Sequence, residues 1–294
     1  MVNSFLRFLK LIRAHQYIKN TIIFLPLVFQ LELFYSSYKL FIYGFLSFCF
    51  VASAGYLIND IRDVNYDKWH PIKKNRPLAN NEISIFNTII IIILFLVFSF
   101  YTAYFVSNFF FYYILFYFLY SILYTLVLKK ISVIDIFFLS IFYCIRIFSG
   151  AEVLNQIISI WLIFFSFIFF SYLASIKRLA DLNLLTKKKF KYSYYQLSDY
   201  NLLKIITPCL MMTSILILFS YLIISSKLIH SQIIGYLIIL ILIIWNVYLI
   251  KQLFRNKINI DPVLFVLKDM TTLILIFLFL ILLIFNFHLG FNEN

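Results

Sequence analysis

Nine apolar runs, most near twenty residues long, restrict what this chain can fold into more than any other feature. They cover residues 21 to 35, 38 to 58, 84 to 106, 108 to 128, 132 to 153, 157 to 176, 205 to 225, 230 to 250 and 266 to 288. A helix of about twenty apolar residues spans the hydrocarbon of a bilayer. The runs lack the alternation of barrel strands and are too long for them, so the expected fold is all-α: a polytopic membrane bundle of nine transmembrane helices in a single domain over residues 1–294. The first run is short and contains Pro26 and Glu32, so its helix is expected to extend backward through Lys19. Composition agrees. With 64% hydrophobic and 13% charged residues, the apolar excess is too large for one water-soluble core.

Several function classes drop out at once. Cys49, Cys144 and Cys209 lie inside apolar runs, unlike the cysteines of a disulfide framework or zinc site. Five glycines form no GxGxxG or Walker loop, so any phosphate must be held by side chains or metal. No nucleic-acid partner is expected. The first twenty residues mix apolar positions with Arg7, Lys10, Arg13 and Lys19 and lack a small-residue cleavage site, which reads as an amphipathic entry helix.

The charges sort by side. With a cytoplasmic N-terminus, 22 of the 25 basic residues face inward, only Lys39 and Lys227 face outward, and Arg146 lies within a span. This is the positive-inside pattern, and it places the protein in the cell (inner) membrane with its polar face toward the cytoplasm. Nine of the twelve acidic residues share that face, although acids contribute little to orientation. They need another explanation.

The densest group is Asn59-Asp60-Ile61-Arg62-Asp63-Val64-Asn65-Tyr66-Asp67, at the inner end of the second span and the start of a loop over 59–82. Offsets of three and seven place Asp60, Asp63 and Asp67 on one face of a continuing helix. With the Asn59 amide, these hard oxygen donors suit Mg²⁺, which keeps waters and completes its shell with substrate phosphate. A solvated helix end paired to Arg62 and Lys68 is the plainer alternative, and the NDxxDxxxD spacing at a membrane boundary favours metal. Downstream, prolines at 71 and 77 restrict a loop in which Lys73, Lys74 and Arg76 suit a diphosphate. His70 receives no role.

Lys177 and Arg178, at the end of the sixth span, can neutralise phosphate, and Asp181 can add a metal ligand or orient a cation. They open a second cytoplasmic loop over 177–204, in which Lys187 to Lys191 reads as a patch for anionic lipid. Asp261 and Asp269 flank the start of the last helix, where acids also favour the N-terminal dipole. Arg146 either snorkels outward or faces the interior as a binding group.

At these residues the chain resembles the UbiA-type intramembrane prenyltransferase superfamily, and within it the decaprenyl-phosphate phosphoribosyltransferases. The finer resemblance rests on Gln16-Tyr17-Ile18-Lys19-Asn20, Tyr56-Leu57-Ile58 leading into the acidic motif, His70-Pro71 and Arg76-Pro77-Leu78-Ala79. It continues through Ile134-Asp135, Arg146, Gly150, Lys177-Arg178, Tyr192-Ser193 and the stretch from Asp261 to Asp269. A second DxxxD motif, usual in aromatic prenyltransferases, is missing: Leu185 stands four positions after Asp181.

The resemblance implies nine helices around a cytoplasm-facing cavity, and Mg²⁺ on Asp60, Asp63 and Asp67 as the catalytic motif. It implies substrate binding by Lys19, Asn59, Lys73, Lys74, Arg76, Arg146, Lys177, Arg178 and Asp181. The implied reaction moves 5-phosphoribose from 5-phosphoribosyl 1-diphosphate to a polyprenyl phosphate, in cell-envelope polysaccharide biosynthesis. Two alternatives stand: prenyl transfer from a prenyl diphosphate to an aromatic or other lipophilic acceptor, and a non-enzymatic transporter or lipid-binding scaffold.

Overall fold

The computed structural model of the chain describes residues 2–28, 34–69, 73–188, 195–224, 232–255, 257–258 and 261–289. Every regular element among them is helical. Two compact units are formed, one by residues 1–130 with 145–157 and the other by residues 131–144 with 158–294.

The first unit begins with α1 (Val2–Leu11), a 3-10 segment (Ala14–Phe24) and the four-residue α2 (Leu25–Val28). The helix expected over 21 to 35 is thus a 3-10 segment followed by one α-helical turn, and residues 29–33 lie outside the described residues. Pro26, which has no N–H to give a helix ladder, sits in that turn.

α3 (Phe34–Asp67) is 34 residues long. At 1.5 Å per residue it reaches ~50 Å, well beyond the ~30 Å hydrocarbon. The apolar run ends near residue 58, and the helix carries on through the whole acidic motif. α4 (Ile85–Tyr104) and α5 (Asn108–Leu126) start on serine caps: the Ser84 hydroxyl accepts from the Asn87 N–H at 3.2 Å and Ser107 from the Phe110 N–H at 2.9 Å.

α3 is the hub, packing against α4, α5 and the 3-10 segment. Small residues allow the close approach. Ser47 and Ser99, both fully buried, exchange hydroxyl-to-carbonyl bonds at 2.9 Å in each direction, fastening α3 to α4. Ala54 and Leu57 of α3 pack with Leu11, Leu78 and Ile92. The α3 span is 56% buried and the α4 span only 17%, so α4 turns most of its apolar surface outward, as a lipid-facing helix does.

α6 (Asp135–Val153) gives its first half to the second unit and its second half to the first. The second unit continues with α7 (Ile160–Lys188), α8 (Leu197–Ile224), α9 (Gln232–Phe254), α10 (Pro262–Val266) and α11 (Met270–Leu289). α7 packs on α8, and α9 on α11. Tyr143 of α6 stacks on Phe170 of α7 at 4.2 Å between ring centres.

Asp261 and Asp269 do not open one helix. The Asp261 carboxylate accepts from the Val263 N–H at 3.1 Å and caps α10, with Pro262 at its first position. Asp269 accepts from the Thr272 N–H at 3.0 Å and starts α11. Each acid satisfies an orphan N–H and meets a positive dipole end.

Among the described residues seven helices are long and apolar enough to cross a membrane, and Met270–Phe285 adds a shorter apolar one. With the 3-10 and α2 segment this agrees approximately with the nine expected spans.

Candidate functional site

Because α3 stays helical through Asp67, the acidic motif is held on a rigid rod. Asp60 and Asp67 are 5% and 3% exposed, a burial that ionised carboxylates tolerate only with partners. Partners for these two and for Asp63 come from three separate places in the sequence. Arg76, just beyond the short 3-10 turn Lys73–Asn75, puts Nη1 2.9 Å from an Asp60 oxygen and 2.5 Å from an Asp67 oxygen. Arg13 donates to the same Asp60 oxygen. Lys129 donates from Nζ to both Asp63 oxygens at 2.7 Å and to the Asn59 side-chain oxygen at 2.9 Å.

Arg13 stands between α1 and the 3-10 segment with φ 54° and ψ 46°, in the left-handed region that side chains with a Cβ rarely adopt. A buried bond from the Ser53 hydroxyl to the Ile12 carbonyl at 2.8 Å fixes the adjoining backbone to α3, and Tyr17 meets Ser53 at 2.9 Å. The guanidinium lies 5.1 Å from the Tyr56 ring centre. Burial lowers its pKa from the ordinary arginine value, and the Asp60 charge works against that fall.

The acids therefore divide into two oxygen clusters. Asp60 and Asp67 meet at one guanidinium nitrogen, and Asn59 and Asp63 surround one ammonium. Among the described residues no three His, Cys, Asp or Glu side chains gather as one potential metal group. The donor chemistry nevertheless fits a hard divalent ion, because each cluster is built from oxygens and already holds a cation. Arg62, the partner considered for a merely solvated helix end, instead donates to the Thr125 carbonyl at 2.5 Å.

Arg146 is interior. It is 2% exposed, donates from Nε to the Asn20 side-chain oxygen at 2.9 Å and from Nη2 to the Tyr117 hydroxyl at 2.7 Å, and lies over the Tyr117 and Phe48 rings. Snorkelling is excluded by that burial. One turn later Gly150 lets α6 touch the 3-10 backbone: a Cβ there would stand 2.0 Å from the Ile23 carbonyl oxygen.

The second unit has its own charged group at the polar end of α7, which continues past its apolar run. Asp135, fully buried, accepts from Arg178 through Nε at 2.8 Å and through Nη2, and from the Tyr195 hydroxyl. Arg178 also lies over the Tyr195 ring at 5.3 Å. Lys177 approaches Asp261 at 3.3 Å, and the exposed Asp181 approaches Arg178 at 3.7 Å.

Of the other expected site residues, Lys19 is buried in the 3-10 segment, Lys73 acts electrostatically on Asp67, and Lys74 is exposed. His70, Pro71, Lys189, Lys191, Tyr192 and Ser193 lie outside the described residues. The residues that sequence reasoning did not place are Arg13, Lys129, Asp135, Tyr117 and Tyr195. In sequence Arg13 and Lys129 read as topogenic charges, and Asp135 carries resemblance without a role. Nothing in the sequence marks either tyrosine among so many.

Comparison with known proteins bears on this geometry. A sequence model of the UbiA prenyltransferase family matches residues 24–265. The nodulation protein NoeC of Azorhizobium caulinodans is 28% identical over 69% of this chain and 67% of its own. The decaprenyl-phosphate phosphoribosyltransferase of Mycolicibacterium smegmatis is 29% identical over 48% of this chain and 44% of its own, so the match spans less than half of that enzyme. Among solved structures, a UbiA homolog from Archaeoglobus fulgidus bound to GPP and Mg²⁺ superposes with a TM-score of 0.67 at 18% identity, covering 97% of this chain and 98% of that one. At that identity the likeness is one of fold.

Proposed function

Because the chain belongs to the UbiA prenyltransferase family, we propose that it is a transferase moving 5-phosphoribose from 5-phosphoribosyl 1-diphosphate to a polyprenyl phosphate. It is a multi-pass membrane protein, and the positive-inside count supports a reading in which the acidic motif faces the cytoplasm from the cell (inner) membrane.

The observation that carries the choice is the composition of the polar end of α7. In place of a second acidic metal motif it holds Lys177 and Arg178, braced by Asp261 and Asp135. A braced cation pair suits an acceptor whose head is a phosphate. A neutral aromatic acceptor makes no such demand. The decaprenyl-phosphate phosphoribosyltransferase relative supports the same reading.

In this mechanism the motif's two oxygen clusters, Asp60 with Asp67 and Asp63 with Asn59, would hold Mg²⁺, which would supply positive charge against the departing diphosphate. Lys73, Lys74 and Arg76 bind the donor's phosphates and stabilise the leaving group. The C1–O bond to diphosphate breaks as an acceptor phosphate oxygen forms a new C1–O bond. Lys177 and Arg178 hold that acceptor phosphate. It is already ionised, so the step requires no general base.

The second reading keeps the same donor apparatus and ionises a prenyl diphosphate to alkylate a lipophilic acceptor. The GPP-bound Archaeoglobus fulgidus structure favours it at the level of fold. One assay separates the two: membranes containing the chain receive Mg²⁺ with labelled 5-phosphoribosyl 1-diphosphate and polyprenyl phosphate, or with prenyl diphosphate and an aromatic acceptor. A labelled phosphoribosyl lipid is expected. Product from the prenyl donor alone overturns the proposal.

A further inference from the structure

Lys129 holds a position that topology does not explain. It lies in the 3-10 turn Leu128–Lys130 after α5, where an exposed lysine would serve the positive-inside rule equally well, as its neighbour Lys130 does. Lys129 is instead 8% exposed, with all three ammonium donors directed to motif oxygens, both from Asp63 and one from Asn59. The bond from Arg62 to the Thr125 carbonyl, one turn earlier, pins the end of α5 to α3 and sets this reach.

The motif's carboxylates are already matched by cations. Asp60, Asp63 and Asp67 pair directly with Arg13, Arg76 and Lys129, and Lys73 and Arg62 add positive charge nearby. A divalent ion added to the undisturbed cluster would leave net positive charge beside Lys129, a strong repulsion in so poorly hydrated a place. For the Asn59 and Asp63 oxygens to serve a metal, the ammonium must leave. A lysine can do so, since its flexible four-carbon stem moves the charge without moving the backbone. A displaced ammonium then needs an anion.

We propose that Lys129 is a donor-binding residue: it occupies the Asn59–Asp63 oxygen pocket until a divalent ion enters, and then passes to the donor's diphosphate, so that metal and diphosphate bind together and neither binds well alone. The inference rests on the reading of the acidic motif as a metal and diphosphate site. It adds one lysine and a thermodynamic coupling to that reading.

The test is binding of Mn²⁺ to the full-length chain in detergent, measured as Mn²⁺ retained by the protein at equal buffered free Mn²⁺, with and without inorganic diphosphate. For the wild type, diphosphate is expected to tighten Mn²⁺ binding by about tenfold or more, within the usual range of coupling between sites. In Lys129→Met, Mn²⁺ alone binds several-fold more tightly and the gain from diphosphate shrinks to about threefold or less. Lys130→Met, one residue away and outside the pocket, behaves as the wild type. If Lys129→Met does not yield folded protein, Lys129→Gln replaces it. Mn²⁺ binding that ignores diphosphate in the wild type, or a Lys129 variant with unchanged coupling, overturns the proposal while sparing the metal site. Absence of Mn²⁺ binding even with diphosphate overturns both.

Discussion

Arg146 and Asn20, 126 positions apart, meet through a buried 2.9 Å bond that ties α6 to the 3-10 segment preceding α2. The bond lies inside a membrane unit, where a guanidinium is tolerated because Asn20, Tyr117 and the Phe48 ring surround it. Arg146→Leu removes two bonds from a charged donor, each worth ~1.5–3 kcal/mol. Thermal unfolding of the purified chain in detergent should show a clear fall in midpoint, only partly recovered in Arg146→Lys, which lacks the planar fork. An unchanged midpoint in Arg146→Leu would free Arg146 for the substrate-binding role expected from sequence.

Gly150 makes the same junction possible by a different means. A methyl group there would be 2.0 Å from the Ile23 carbonyl oxygen, and backbone cannot rotate aside. Gly150→Ala should cost ~1–3 kcal/mol or more through overpacking. At Gly44 the nearest atoms, at 3.0 Å, are side-chain ends of Ile23 and Phe110, which can give way. Gly44→Ala should therefore be the milder of the two in the same thermal assay, and the reverse order would refute the packing argument.

These two residues show where the sequence was readable and where it was not. A long apolar run is a local property, so most spans and the helical continuity from Ala54 to Asp67 could be read directly. Arg13 and Asp60 are 47 positions apart, and Lys129 and Asp63 are 66 apart. Such pairings depend on which helices become neighbours, which periodicity does not encode. Arg13, at positive φ in a tight corner, reads in sequence as one more basic residue on an amphipathic helix. Asp261 and Asp269 were legible as helix-start residues, but the break between α10 and α11 that gives each its own helix was not.

Asp135 should be the most sensitive position in the second unit. It is fully buried and receives both Arg178 and Tyr195. Asp135→Ala takes from Arg178 its buried carboxylate and leaves it the exposed Asp181 at 3.7 Å and the Tyr195 ring, and breaking a buried pair from one side typically costs ~3–5 kcal/mol. Tyr195→Phe removes one donor to a buried carboxylate, at ~1.5–3 kcal/mol. Burial raises the Tyr195 hydroxyl above the usual phenol range, so it stays protonated throughout ordinary assay conditions. A group whose folded pKa is raised keeps its contribution below the unfolded value and loses it only as pH climbs past that value. The stability gap between wild type and Tyr195→Phe should thus be constant below about pH 9. A gap that closes between about pH 6 and 8 would assign the effect to another group.

Asp60 tests the catalytic assignment, because it is the acid that meets both Arg13 and Arg76. Removing divalent ions with a chelator should abolish transfer in membranes, and Mg²⁺ or Mn²⁺ should restore it. Asp60→Ala and Asp63→Ala should each lower turnover by about a hundredfold or more, the scale on which loss of transition-state charge stabilisation is felt. Neither should be rescued by added metal. Asp60→Ala also releases two arginines from their shared carboxylate, so Asp60→Asn, which keeps the acceptor oxygen, separates lost charge from lost packing. A folded Asp60→Asn with full Mg²⁺-dependent turnover would remove Asp60 from the metal site. If Asp60→Ala and Asp63→Ala both left all Mg²⁺-dependent turnover intact, the case for a transporter or lipid-binding scaffold would reopen, since such a protein has no use for three carboxylates at this spacing outside the hydrocarbon.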